Sequence, residues 1–212
     1  MNRPRILLAD DHVLLMDAFR KLLEPEFVII GAVCDGHSLL TAAAKLEPDL
    51  IIVDLALPLL NGMDAGRKLI EMLPRTKLLV VTMNEDAAIA TRALEEWASG
   101  YLLKKSAGSE LIHAIRELMA GRTYVTSRIT YQMEREFMRN PTAKTDKSLT
   151  QRQREVLQLL AEGLTMKETA DTLKLTTRTV AFHKYKIMED FGLHNNLDLL
   201  RLAIKEHLVS AK

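Results

Sequence analysis

Leu50-Ile51-Ile52-Val53-Asp54-Leu55-Ala56-Leu57-Pro58-Leu59-Leu60-Asn61-Gly62 decides the fold of this 212-residue chain. Four apolar residues, mostly β-branched, run without polar alternation into a single carboxylate. That pattern predicts a parallel strand covered on both faces. Asp54 then ends the strand at the carboxyl edge, where open parallel sheets hold their ligand crevice. Pro58 and Gly62 punctuate the loop beyond and hand the chain to a helix. Alone, Asp54 reads better as a plain strand end. Four other positions change that reading.

Working outward, five apolar stretches alternate with five helix-like ones up to about residue 121. The predicted strands are Arg5–Ala9, Val28–Val33, Leu50–Asp54, Lys77–Thr82 and Gly100–Leu103. Helical patterns lie between them, carried for example by Leu14, Leu15, Ala18 and Leu22, and by Glu110 to Met119. Strict βα alternation with short connections predicts an α/β fold: a doubly wound, five-stranded parallel sheet with helices on both faces.

The polar residues that close those strands are Asp10-Asp11, Asp54, Thr82 and Lys104. In a doubly wound sheet all of them converge on one edge. Three carboxylates so placed repel one another, and a hard divalent cation with oxygen ligands relieves the conflict. Mg²⁺ suits the set because it takes few carboxylates and retains waters. Lys104 and the Thr82 hydroxyl then offer a cation and a donor to a further anion. A carboxylate facing a metal, a lysine and a hydroxyl is arranged to accept a phosphoryl group. Thr82 alone would be a strand-end hydroxyl, Tyr101 alone a half-buried aromatic, and Asp10-Asp11 alone a helix cap near His12. His12 and His113 are assigned no chemistry.

Over residues 3–121 this pattern resembles the receiver domain of bacterial two-component response regulators, a flavodoxin-like fold. The resemblance implies that Asp54 is the phosphoacceptor served by a sensor histidine kinase. It implies that Asp10, Asp11, Asp54 and the backbone carbonyl of Ala56 hold Mg²⁺, and that Thr82 and Lys104 engage the phosphoryl oxygens. Tyr101 matches an aromatic that moves inward as Thr82 is drawn to the phosphate, and Pro58 and Gly62 match in spacing. Two positions depart from the pattern. Lys105 stands where many receivers have proline, and Trp97 where relatives commonly have a small residue.

Composition divides the chain. Residues 1–121 carry 13 Lys/Arg against 17 Asp/Glu, and residues 122–212 carry 16 against 11. An acidic first part and a basic last part suggest two domains, the second facing an anion such as nucleic acid. The single Cys34 follows an apolar stretch and is expected as a buried structural thiol in a reducing cytoplasm. No apolar run is long enough for a bilayer span or a signal peptide, so a soluble cytoplasmic protein is expected. Residues 122–147 are read as a connection: a helix over 126–139, on which Met133, Phe137 and Met138 pack against a domain face, then an exposed loop from Pro141 to Ser148.

From Leu149 the chain reads as an all-α domain of four helices. Thr150-Gln151-Arg152-Gln153 and Thr165-Met166-Lys167-Glu168 both have the capping-box form. Lys174-Leu175-Thr176 turns tightly into a third helix, Thr177 to Phe191, and Asn195-Asn196 opens a fourth. Two short helices across a tight turn make a helix-turn-helix, whose second helix enters the major groove. At about 100° per residue, Val180, Ile187 and Phe191 face the domain core, while Arg178, Phe182, Tyr185 and Lys186 face outward, with Ala181 at the margin. Outward aromatics among cations fit DNA, with a partner-protein surface as the other reading.

Residues 148–210 resemble the DNA-binding domain of the LuxR/NarL/FixJ type through Leu149 to Leu157, Ala161-Glu162-Gly163 and Thr179-Val180-Ala181-Phe182-His183. The resemblance implies that Ala181, Phe182 and Tyr185 read bases, that Thr179, His183, Lys184 and Lys186 approach the backbone, and that the last helix dimerises. Arg178 joins the basic set by its outward position. Ala181 and Thr169 depart from the usual residues.

The whole is expected to be a response regulator: receiver (1–121), linker (122–147) and helix-turn-helix domain (148–212). Phosphorylation of Asp54 with Mg²⁺ would favour a dimeric, DNA-competent form. The alternative is a constitutive DNA-binding regulator whose receiver serves only as a protein-interaction module. An enzyme turning over small phosphoesters is not expected, since Leu55-Ala56 supplies no acid or base beside the acceptor, and no catalytic residue is assigned.

Overall fold

The computed structural model describes residues 3–139 and 149–209, with the side chains of residues 136–139 left undescribed. The predicted loop from Pro141 to Ser148 therefore lies outside the described residues, as do the side chains of Phe137 and Met138. Strands β1 (Arg5–Ala9), β2 (Val28–Val33), β3 (Leu50–Val53), β4 (Lys77–Thr82), β5 (Gly100–Leu103) and β6 (Tyr124–Val125) form one sheet in the order β2-β1-β3-β4-β5-β6. All its pairings are parallel. The sheet thus has six strands rather than five. A two-residue strand is too short for any alternation to register, and Tyr124–Val125 joins only because it lies in register beside Gly100 and Tyr101.

Helices α1 (Val13–Leu23) and α5 (Ala107–Met119) cover one face, where Ile6, Leu8, Leu50, Ile52, Leu79, Val81 and Leu102 meet Phe19, Leu23, Leu111 and Ile115. On the other face α2 (Gly36–Leu46), α3 (Gly62–Met72) and α4 (Ala87–Glu96) cover Leu7, Ile51, Val53, Leu78, Val80 and Tyr101. Within α1, Phe19 and Leu23 are buried in the core and Leu15, Met16 and Leu22 pack against it, whereas Leu14 is 86% exposed and Ala18 is exposed too. Cys34, expected to be buried, is exposed. It lies just past β2, the edge strand, which has no neighbour on that side among the described residues.

The connecting helix α6 (Ser127–Arg139) packs against α4, with Ile129 fully buried and Met133 against the same core. Four further helices follow: α7 (Gln151–Ala161), α8 (Met166–Leu173), α9 (Thr177–Phe191) and α10 (Asn196–Lys205). Both capping boxes form, Thr150 with Gln153 and Thr165 with Glu168. Lys174 adopts a left-handed conformation at the α8–α9 turn. Among the described residues no helix is long and apolar enough to cross a membrane.

Candidate functional site: a carboxylate pocket and a docked helical domain

The order reverses between β1 and β3, and the side chains that end these strands meet at that switch point. Asp10 and Asp54 are buried, and Asp11 is partly exposed. Lys104, in a short 3₁₀ turn (Lys104–Ser106) after β5, places Nζ 2.7 Å from Asp10 Oδ2 and 2.7 Å from Asp54 Oδ2. Burial alone would lower its ammonium, but Asp54 and Asp10 outweigh it and hold the group above the ordinary lysine value. The peptide after Lys104 is trans, so Lys105 leaves the loop geometry regular, and its own Nζ pairs with Glu85 at 2.9 Å.

Three carboxylates face one lysine here, so two negative charges remain over. Asp54 Oδ1 is buried and has no hydrogen-bond partner among the described residues. Ligand atoms of Asp10, Asp11, His12 and Asp54 all lie within 4.8 Å of one another. An oxygen-rich, doubly negative cluster with an unused buried acceptor suits a hard divalent cation. His12 was given no role from sequence, yet its Nδ1 lies 2.8 Å from Asp11 and 3.1 Å from Asp10. Ala56 sits half-buried in the loop beyond Asp54.

Gly62 has a steric reason. A Cβ there would stand 2.1 Å from the Asp54 carbonyl oxygen, so only glycine lets α3 begin this close to the acceptor strand. Trp97 has one too: it is buried, and its indole lies where a Cβ on Gly66 of α3 would come within 2.4 Å. The large residue near Tyr101 is therefore accommodated by a missing side chain opposite.

Thr82 is buried and its Oγ1 accepts from the Asn84 N–H at 3.2 Å. Tyr101 already points inward, fully buried, and its hydroxyl donates to the Asn84 carbonyl at 2.9 Å. Burial pushes that phenol upward, with Asp86 and Asp54 adding to the effect. Asn84 thus joins both residues.

Sequence reasoning missed a polar contact between the helical domain and the pocket loops. On α7, Gln153, Arg154, Glu155 and Gln158 are all buried. Gln158 Oε1 accepts from Asn61 N (2.8 Å) and Asn61 Nδ2 (2.9 Å), while its Nε2 donates to the Leu57 carbonyl (3.0 Å) and to Glu162 (2.7 Å). Glu155 pairs with Lys68 at 2.8 Å, and Arg154 reaches Asp64 at 3.3 Å. Burial pushes the Arg154 guanidinium down against the pull of Asp64. Glu162 accepts from the Leu59 N–H at 3.3 Å, and burial raises its carboxyl despite the Gln158 bond. Beyond α10, His207 Nδ1 accepts from Asn84 Nδ2 at 2.8 Å, and its Nε2 faces Asp86 at 3.1 Å. His207 holds the Asp86 carboxyl below its ordinary value. Sequence offered no signal, because a polar helix face reads as a solvent face until a partner is known.

On α9, Val180 and Ile187 are fully buried, while Phe182 and Tyr185 are 64% and 60% exposed. Arg178 and Lys186 are exposed, and Ala181, His183 and Lys184 half-buried. Several are already engaged: Thr179 caps with Thr176 at 2.9 Å, Lys184 bonds Asn196 at 2.9 Å, and Lys186 pairs with Glu189 and Asp190. The His183 imidazole is lowered by burial and by Arg152.

A pocket of this build on a doubly wound sheet, joined to a helix-turn-helix, defines a class: phosphoacceptor receivers coupled to a transcriptional effector. Residues 6–116 match the family "Response regulator receiver domain" and residues 147–203 match "Bacterial regulatory proteins, luxR family". The chain belongs to the response regulators, with a luxR-family regulatory domain. It is 32% identical to the oxygen regulatory protein NreC of Staphylococcus aureus, an alignment covering 97% of this chain and 99% of the other. It is also similar to solved structures of the RcsB response regulator from Salmonella typhimurium. One has 26% identity, covers 95% of this chain and 97% of the other, and gives a TM-score of 0.67. Another, from Salmonella enterica serovar Typhimurium and bound to a promoter in the presence of the phosphomimetic BeF₃⁻, has 27% identity, covers 94% and 97%, and gives 0.61.

Proposed function

We propose that Asp54 of this transcription regulator accepts a phosphoryl group from the phosphohistidine of a sensor kinase and that Mg²⁺ is required. The reading assigns 1–121 to the receiver, 122–147 to the connection and 148–212 to the DNA-binding domain. The observation that carries it is the doubly negative pocket, in which Lys104 bridges Asp10 and Asp54 while Asp54 Oδ1 is left unpartnered. An Asp54 oxygen attacks phosphorus, the P–N bond breaks, and the departing imidazole nitrogen takes a proton from water. Asp10, Asp11, Asp54 and the Ala56 carbonyl would hold Mg²⁺, which when bound would supply positive charge to the transferring oxygens. Lys104 offsets charge on the same group, and the Thr82 hydroxyl, which accepts from the Asn84 N–H, has its proton left to donate to it. Water attack on the aspartyl phosphate returns the carboxylate, so the chain takes part in its own phosphorylation and dephosphorylation without being a conventional enzyme.

The outward face of α9 supports duplex DNA as the target. Phe182, Tyr185 and Ala181 fit base edges or thymine methyls, and Arg178, Thr179, His183, Lys184 and Lys186 fit the backbone. A homodimer and a cytoplasmic location accord with that role. The test is binding to genomic fragments in Mg²⁺, before and after a small-molecule phosphodonor, beside Asp54→Ala. Tightening in the parent protein alone supports the phospho-switch, and equal binding by both would sink it.

A further inference from the structure

His12 follows Asp10-Asp11 and opens α1 as its N-cap, a place where a short oxygen-bearing side chain ordinarily satisfies the first helical N–H groups. Its imidazole makes no such bond. It folds back instead, with Nδ1 2.8 Å from Asp11 Oδ1 and 3.1 Å from Asp10 Oδ1. Asp10 Oδ1 also accepts the His12 backbone N–H at 2.9 Å, which ties the residue to the pocket. Helix capping therefore does not account for where this side chain lies. Lys104 sorts the remaining oxygens by taking Oδ2 of Asp10 and Oδ2 of Asp54. The Oδ1 atoms are left. Those of Asp10 and Asp11 meet His12, and that of Asp54 is buried with no partner among the described residues. Three carboxylates and one imidazole are thus gathered, with ligand atoms of all four residues within 4.8 Å of one another.

We infer that His12 gives this pocket a second metal chemistry: with Asp10, Asp11 and Asp54 it forms an oxygen-and-nitrogen site for a transition ion of the Zn²⁺ class, an alternative to Mg²⁺ on the same carboxylates. This rests on the phosphoacceptor reading above and deepens it. Mg²⁺ is a hard ion that takes oxygens and keeps several waters, so an imidazole adds little to its binding. Zn²⁺ takes histidine nitrogen and carboxylate oxygen together, and four donors complete its usual set. Ligation requires a bare Nδ1, so the proton it shares with the carboxylates passes to water. The His12 side chain is 66% exposed, which leaves it open to an ion arriving from solvent. A closed set of four protein donors has no position for a transferring oxygen, whereas Mg²⁺ retains waters that such an oxygen replaces. The Zn²⁺ form is therefore a resting form of the acceptor, and His12 decides which ion holds it.

The experiment titrates full-length protein by calorimetry with Zn²⁺ alone, Mg²⁺ alone and Zn²⁺ against Mg²⁺. Every form carries Cys34→Ser, which removes the exposed thiol as a competing ligand. The parent is compared with His12→Gln, which keeps hydrogen-bonding capacity but lacks the ring nitrogen, and with Asp54→Asn, which removes an anionic ligand of both ions. Nitrogen-15 NMR of the imidazoles follows ligation directly, the His12 signal being the one missing from His12→Gln. In the parent, Zn²⁺ is expected to bind one site that requires Asp54, to compete with Mg²⁺ and to move the His12 Nδ1 resonance. His12→Gln is expected to lose at least about tenfold in Zn²⁺ affinity, the cost of removing even an outer partner of a metal ligand, and to keep its Mg²⁺ affinity within about twofold. Added Zn²⁺ is expected to block labelling by a small-molecule phosphodonor in the parent at concentrations that spare His12→Gln. Equal Zn²⁺ affinity in parent and His12→Gln, or a His12 resonance that stays put as Zn²⁺ binds, overturns the second metal site; Mg²⁺ binding that is lost in Asp54→Asn then still supports the phosphoacceptor reading. If Mg²⁺ binds no form, the phosphoacceptor reading fails and the alternative-ion inference fails with it.

Discussion

Replacing Lys104 with methionine separates the electrostatic role of this residue from its packing. The side chain is almost wholly buried, and its ammonium is the one group bridging Asp10 and Asp54, at 2.7 Å to each. Methionine preserves much of the volume and leaves two buried carboxylates without their cation. Removing one partner of a buried pair costs about 3–5 kcal/mol. The low end applies because the pocket opens to solvent at Asp11, whose side chain is 42% exposed. With a urea slope of about 2 kcal/mol/M, a loss of about 3 kcal/mol moves the receiver's midpoint down by about 1.5 M in chelator. A divalent cation reverses the effect. Mg²⁺ at about 100 times its Kd stabilises the native form by about 2.7 kcal/mol, and it binds the variant more tightly because no lysine competes for the same carboxylates. The expected difference between the two proteins therefore shrinks in saturating Mg²⁺ by RT ln of the ratio of their Kd values. Buried Trp97 reports receiver unfolding in both. A loss below about 1 kcal/mol in chelator, or equal stabilisation of both proteins by Mg²⁺, would refute the reasoning.

Gly66→Ala is expected to destabilise the receiver by about 1–3 kcal/mol in urea unfolding, because its methyl meets the Trp97 indole; Gly108→Ala, with open space around it, is expected to be neutral or mildly stabilising. Glu162, raised by burial, weighs against docking above its folded value, and that cost disappears as pH falls through this value towards 4.5; Asp86, lowered chiefly by His207, favours docking above 3.8 and loses that contribution only below it. Glu162→Gln is therefore expected to be more compact than the parent at neutral pH, the gap closing on acidification, measured as the difference in radius of gyration between the two proteins. Phe182→Ala is expected to weaken DNA binding by about 1–3 kcal/mol without changing the salt slope, whereas Arg178→Ala is expected to reduce the slope by about one, both read from affinities at several salt concentrations.

The pocket was legible in sequence because its chemistry sits at strand ends. An apolar run fixes where a parallel strand stops, so Asp10, Asp54, Thr82 and Lys104 could be placed on one edge from their spacing alone. The outward aromatics of α9 were legible for a related reason: helical periodicity put Val180 and Ile187 inside, and Phe182 and Tyr185 could not share that side. What escaped depended on neighbours that periodicity does not name. Of the apolar stripe expected in α1, Leu15 and Leu22 pack against the core beside buried Phe19 and Leu23, whereas Leu14 and Ala18 are exposed. Cys34 follows an apolar stretch, but its strand lies at the edge.

The buried polar face of α7 follows the same logic and makes the contact between the domains weak for its area. Packing Arg154, Glu155 and Gln158 out of water carries a desolvation cost that their new bonds largely offset rather than exceed. An intramolecular hydrogen bond contributes only about 0.5–1.5 kcal/mol net, because water satisfies the same groups when the domains part. An apolar interface of equal size would hold the domains together more firmly, since each buried apolar area adds to the association. A polar one is specific in register, since Gln158 is satisfied only opposite Asn61 and Leu57, yet weak enough to be outbid. The residues that made this helix look like a solvent-facing surface in sequence are therefore the ones that let it serve as both a surface and an interface.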